Sequence, residues 1–257
     1  MSKPIALAIF DIDGVVRDVS GSYRRAIADT VEYFTQGHYR PTPADIDRLK
    51  SEGIWNNDWK ASQELIHRHN QTSDRTADYD AIVSYFQQQY RGTGDDPSQW
   101  TGYITQEPVL MSAQYLKNLA NGGVPSAFFS GATKGSANYI LQQRMGLKDP
   151  ILIAMADAPS KPDPTGLYMT IERLEATVPA GLPVLYAGDT VADMATIQAA
   201  QNQTPQRRWL GIGILPPHVQ TDADYQARYS KTLQSAGAAL VLPHVEQLTP
   251  KIIQNLL

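Results

Sequence analysis

Short apolar runs separated by longer amphipathic stretches constrain this chain more than any other feature. The runs are Ile5–Phe10, Val124–Phe129, Ile151–Met155, Val184–Ala187 and Leu210–Leu215. Runs of this length, bounded by Gly, Pro or Asp, are what strands buried on both faces look like. Helix-like stretches at Thr133–Met145, Thr165–Ala176 and Thr190–Ala200 separate the last four, each preceded by a Gly, Pro or Asp signal. This β-α-β-α alternation predicts an α/β fold, a parallel sheet with helices on both faces and right-handed crossovers. Ligands in such sheets bind at the carboxyl ends of the strands.

One gap breaks the alternation. More than a hundred residues lie between the first two runs, too many for one crossover. Helical periodicity fills them, with apolar and aromatic residues three and four apart in Ser22–Thr35, Pro43–Lys50, Trp59–Arg68 and Tyr79–Tyr90. The pattern predicts an all-helical domain inserted after strand one. Its return linker is the turn-rich segment Gly92–Pro97, and the core pattern resumes near Glu107 and Pro108. The expected domains are therefore a core of residues 1–17 and 108–257 and a helical insertion of residues 18–107. Residues 18–107 hold 9 basic and 14 acidic side chains against 13 and 12 elsewhere, so the acidity belongs to the insertion.

Composition narrows the chemistry. With 22 basic and 26 acidic residues the net charge is −4, which lacks the basic excess of a nucleic-acid binder. No cysteine is present, so thiolate metal sites and a cysteine nucleophile are excluded. Ile5–Phe10 is far short of the roughly 20 residues of a membrane-spanning helix, and acids follow it where a signal peptide would have small residues. The expectation is a cytoplasmic protein with a mature N-terminus and no membrane partner.

Four strand ends carry polar residues suited to chemistry. The first ends in Asp11-Ile12-Asp13-Gly14, two carboxylates on one side of an extended segment followed by a residue that lets the backbone turn. Burying both acids needs a compensating cation or hydrogen bonds. The second ends in Ser130-Gly131, a hydroxyl and backbone N–H groups at a helix start, suited to phosphate oxygens. Lys161-Pro162-Asp163-Pro164 sets a cation in a stiff loop before the next helix. Gly188-Asp189-Thr190-Val191-Ala192-Asp193 sets two acids about one helical turn apart. Each of these alone fits an ordinary turn or helix start, and their joint order is the stronger signal.

In that order the four motifs resemble those of the haloacid dehalogenase superfamily, in particular its phosphatase branch with a helical cap after the first motif. The match falls on Asp11 and Asp13, Ser130, Lys161, and Asp189 and Asp193, and spans essentially the whole chain. The resemblance implies a Rossmann-like core, a mobile cap and Mg²⁺-dependent phosphoryl transfer. In that scheme Asp11 is the nucleophile and Asp13 the acid and base, Ser130, the Gly131 amide and Lys161 hold the phosphoryl group, and Asp11, Asp13 and Asp189 hold Mg²⁺ with Asp193 behind them. An aspartate at position 13 favours phosphate over halide chemistry, because only an alkoxide leaving group needs a proton. A Schiff-base route through Lys50 or Lys60 of the insertion is ranked low, both being expected in solvent.

Substrate choice is expected in the insertion, since the core motifs address only phosphate. Trp55, Asn56, Asn57 and Asp58 form the main candidate loop for a small phosphorylated substrate, equally readable as a helix cap with packed tryptophans. Tyr23 and Arg24 are weaker candidates, and Pro216-Pro217-His218 a weaker one still. The five histidines form no metal-ligand cluster. Rival readings are a phosphotransferase or sugar-phosphate mutase, and a non-enzymatic phosphometabolite-binding or receiver-like protein. Oligomeric state is not readable from the sequence.

Overall fold

Side chains alternate across a strand, so a sheet covered on both faces must be apolar at every position. The computed structural model, which describes residues 2–55, 57–70 and 78–257, has such a sheet. Its strands are β1 (Leu7–Phe10), β2 (Ser126–Phe129), β3 (Leu152–Ile153), β4 (Val184–Gly188), β5 (Trp209–Ile214) and β6 (Ala238–Leu242). They lie in the order β3-β2-β1-β4-β5-β6 with every pairing parallel.

The helices are α1 (Tyr23–Phe34), α2 (Pro43–Lys50), α3 (Asp58–His69), α4 (Tyr79–Tyr90), α5 (Ala113–Asn121), α6 (Lys134–Asn138), α7 (Thr165–Glu175), α8 (Val191–Gln203), α9 (Ala223–Ser235) and α10 (Pro250–Leu256). On one face of the sheet Ala8, Phe10, Phe128, Leu185 and Ala187 pack with Leu116 and Leu119 of α5 and Ile253 of α10. On the other, Leu7, Ile9, Phe129, Val184 and Tyr186 pack with Leu167, Ile171 and Leu174 of α7 and Ile197 of α8. Each large apolar side chain so buried contributes about 1.5–3 kcal/mol. Strand order reverses at β1, with β2 on one side and β4 on the other, which opens a crevice beyond their carboxyl ends.

The chain divides into two units, residues 1–18 with 109–257 and residues 19–108. In the second, α1 packs on both α3 and α4, burying Ile27, Val31, Leu65, Ile66, Ile82 and Phe86. Helix α2 starts in a capping box, Thr42 and Asp45 each bonding the other's backbone N–H. No described helix is long and apolar enough to cross a membrane.

Several elements differ from the sequence reading. Strand β6 and helices α5, α9 and α10 were not expected. The run Ile151–Met155 pairs over only two residues. The stretch Thr133–Met145 is an α-helix that continues as a π-helix over Tyr139–Arg144, because periodicity does not report a change in hydrogen-bond spacing.

Candidate active site

The carboxyl ends of β1, β2 and β4 bring the motif residues together. Asp11 continues β1, its N–H bonding Ala187 O at 2.8 Å, and its Oδ1 accepts the Ile12 N–H at 2.7 Å. Gly14 follows with φ +76°, and a Cβ there would lie 2.1 Å from Asp189 Oδ2. Only glycine therefore lets the turn after Asp13 lie against the Asp189 carboxylate. Ser130 is 1% exposed, its N–H donating to Ile153 O and its Oγ accepting the Ala132 N–H at 3.2 Å.

Lys161 ties these ends together. Its Nζ lies 3.0 Å from Asp11 Oδ2 and 2.6 Å from Asp193 Oδ1 and faces the rings of Phe129 and Tyr186. Asp193 is wholly buried and held on both oxygens. Oδ1 also accepts the Tyr186 hydroxyl at 2.9 Å, and Oδ2 accepts the Thr190 N–H and hydroxyl at 2.9 and 2.6 Å. The Asp193 N–H returns a bond to Thr190 Oγ1, so the same residue closes the capping box of α8.

The electrostatics follow from that crowding. Burial raises the Asp11 carboxyl to about 6 against the opposing pull of Lys161, with Asp193 and Asp13 adding to the rise. Burial would lower the Lys161 ammonium, but Asp11 and Asp193 outweigh it and hold it above its ordinary value. Burial would likewise raise Asp193, yet Lys161 and Thr190 keep it below the usual carboxylate range. Asp11, Asp189 and Asp193 each bring an oxygen within 4.8 Å of the others. Asp11 and Asp193 share the Lys161 ammonium with Asp189 close to both, and an all-oxygen set of this kind suits a hard divalent cation.

Residues 5–201 match the haloacid dehalogenase-like hydrolase family. The chain belongs to that family. An imidazoleglycerol-phosphate dehydratase of Phytophthora nicotianae is 27% identical over 251 residues, covering 94% of this hydrolase and 51% of that protein, so the chain spans about half the relative's length. Among solved structures, a phosphonoacetaldehyde hydrolase-like protein of Oleispira antarctica superposes with a TM-score of 0.70 at 15% identity, over 98% of this chain and 92% of that one. Phosphatase Tt82 of Thermococcus thioreducens gives 0.60 at 17%, over 87% and 98%. At such identities these structures speak for the fold alone.

The hydrolase's helical unit holds the remaining candidates. Asn57 caps α3, its side chain accepting the Trp59 and Lys60 N–H groups at 3.0 and 3.1 Å. Trp55 Nε1 donates to Glu52 at 2.7 Å, and Asn56 lies outside the described residues. Asp58 pairs with Lys50 at 2.8 Å, whose ammonium also faces the Tyr23 ring. Lys50 is buried, which corrects the expectation of a solvated lysine; Asp58 and Tyr23 give it a charge partner and an aromatic face. Lys60 is exposed. Arg24 is buried and ion-paired with Asp47. His69 stacks on Tyr39.

Sequence reasoning missed four residues of the core network. Tyr186 hides in an apolar strand, where only the two-residue alternation places its hydroxyl toward Asp193. Thr190 reads as a helix cap and serves as one. Tyr229 of α9 donates to the Asp189 carbonyl at 2.9 Å, from an element not anticipated. Arg17 binds Asp13, and an Asp–Arg pair four residues apart was its one sequence signal.

Proposed function

We propose that this hydrolase is a Mg²⁺-dependent phosphatase of a small phosphorylated metabolite, working through an aspartyl-phosphate on Asp11. The observation that carries the reading is the Asp11–Lys161–Asp193 chain of contacts at 3.0 and 2.6 Å. It sets a buried carboxylate beside a cation that is itself fixed from behind. Asp11 Oδ2 attacks phosphorus and forms the acyl phosphate, the covalent route open to a carboxylate. Asp13 protonates the departing alkoxide and then takes a proton from the water that cleaves the intermediate. Lys161, the Ser130 hydroxyl and the Gly131 amide neutralise and orient the phosphoryl oxygens.

The Asp11 and Asp189 carboxylates, each with an oxygen within 4.8 Å of the other, would hold Mg²⁺ together with the Asp13 backbone carbonyl, and the missing side chain at Gly14 leaves the Asp189 carboxylate clear. When bound, such an ion supplies charge neutralisation at the phosphoryl oxygens. Asp193, occupied by Lys161, Tyr186 and Thr190, orients this set.

We assign substrate choice to the helical unit, in which Lys50 is committed to Asp58. That commitment argues against a Schiff-base route, which needs the free amine. The dehydratase relative is named for an imidazole-bearing phosphate ester, so histidinol phosphate stands first in a substrate panel, ahead of phosphoglycolate and sugar phosphates. The test is phosphate release across that panel with Mg²⁺. The wild-type chain is expected to release phosphate, and Asp11→Asn to lose at least about a thousand-fold while keeping its fold. Full activity in Asp11→Asn would overturn the mechanism, and an isomerised sugar phosphate without phosphate release would make the enzyme a mutase.

A further inference from the structure

Arg17 is among the largest wholly buried side chains of the protein, at 1% exposure. A buried guanidinium demands compensation, and replacing a buried ion pair with apolar groups is often neutral or better for stability. The presence of the charge at this position therefore calls for an account beyond packing. Nε and Nη2 both lie 2.6 Å from one oxygen of Asp13, Oδ1. Nη1 bonds the Ser136 carbonyl of α6 at 3.3 Å, the helix that follows the Ser130 loop. The backbone is equally tied down, with Gly14 N–H on Arg17 O at 2.9 Å, Arg17 N–H on Ile12 O at 3.2 Å and Leu110 N–H on Val16 O at 2.7 Å. Arg17 thus links the turn after β1 to the turn after β2 through a rigid segment, and Asp13 hangs from that link.

The geometry of the grip suits one half of the reaction. Both nitrogens take Oδ1, so Oδ2 is left out of the pair. We propose that Arg17 is a positioning residue that holds the Asp13 carboxylate for the water step, with Oδ2 as the proton acceptor. In that step the water oxygen bonds phosphorus while the bond from phosphorus to the Asp11 oxygen breaks. The water proton passes to Asp13 Oδ2, Asp11 departs as a carboxylate, and phosphate is released. The assignment rests on the aspartyl-phosphate reading above and names a residue that reading does not require.

The test separates the two half-reactions with 4-nitrophenyl phosphate, whose leaving group departs without a proton. Rapid mixing with Mg²⁺ follows 4-nitrophenolate release in the wild type, Arg17→Met and Arg17→Lys, each checked for folding by thermal melting. Arg17→Met is expected to release one equivalent in a burst close to the wild-type first turnover. Its steady state should then be about a hundred-fold slower, the cost of misplacing a reacting group by about 1 Å. Arg17→Lys, which keeps the charge without the two-nitrogen grip, should show the same burst with a smaller loss. It carries the test if the Met variant does not fold. A variant that is slow in both phases with no burst would show a general loss of site structure and overturn the assignment while leaving the phosphatase reading intact. Unchanged steady-state rates in both variants would overturn it as well. A wild type that releases no 4-nitrophenolate would overturn the phosphatase reading itself, and this assignment with it.

Discussion

Both units of the protein bury charge, and they balance it differently. In the helical unit Arg24 meets Asp47 and Lys50 meets Asp58, one acid at each of these two cations, while the buried Glu107 accepts the Ser22 hydroxyl. At the strand ends of the core, Lys161 meets both Asp11 and Asp193, with Asp189 close to those two acids, and Arg17 meets Asp13. A one-to-one pair is neutral as a whole. An excess of carboxylates is unfavourable unless something else arrives, and a divalent cation with a phosphate ester bound to it is such a visitor. On the proposed function, the contrast is between charge that builds the fold and charge that serves the reaction.

Changes at the unmatched site should have the largest effects. Lys161→Met removes the cation shared by Asp11 and Asp193. It is expected to lower phosphate release by about 10²–10³-fold and to cost about 3–5 kcal/mol of stability, since two buried carboxylates lose their partner. Assay and denaturant unfolding of one preparation would check both, and a fully active, fully stable variant would erase the distinction between the units. In the helical unit, Arg24→Met alone should cost a comparable 3–5 kcal/mol or so, whereas Arg24→Met with Asp47→Leu should return to within about 1 kcal/mol of the wild type. Unfolding of the single and double variants measures this, and a double variant as unstable as the single would mean that the pair is not self-contained.

The smallest expected effect concerns pH. Folding raises the Asp11 carboxyl from 3.8 to about 6, so the native state binds this proton more tightly than the unfolded chain does. The group's contribution is therefore most favourable at low pH and declines as pH rises between those values. A bound divalent cation favours the ionised form, so Mg²⁺ should raise the melting temperature more at pH 7 than at pH 5. An equal or reversed effect would detach the surplus charge from metal binding.

These contrasts bear on what the sequence discloses. The family motifs were legible because strand-end chemistry is local: Asp11 and Asp13 share a side by the two-residue period, and Asp189 and Asp193 sit around a helix start. The inserted unit was legible from an interrupted alternation. Strand β6 was passed over although Ala238–Leu242 is itself an unbroken apolar run; as an edge strand it is only partly buried. Tyr186 and Arg17 were missed for another reason. Their roles depend on which groups each meets in the fold: Tyr186 meets Asp193 beyond the end of β4, and Arg17 meets Asp13 across the turn after β1 and the Ser136 carbonyl 119 residues away. The loop around Trp55–Asp58 was readable both ways, and Asn57 does cap α3.

The central claim is that Asp11 becomes covalently phosphorylated. Mixing the enzyme with Mg²⁺ and a turned-over substrate, quenching within one turnover and reducing with borohydride converts an aspartyl-phosphate into homoserine, which peptide mass spectrometry locates. The account expects homoserine at position 11, dependent on substrate and absent from Asp11→Asn. Turnover with no modified residue, or with the modification at any other carboxylate, would contradict it.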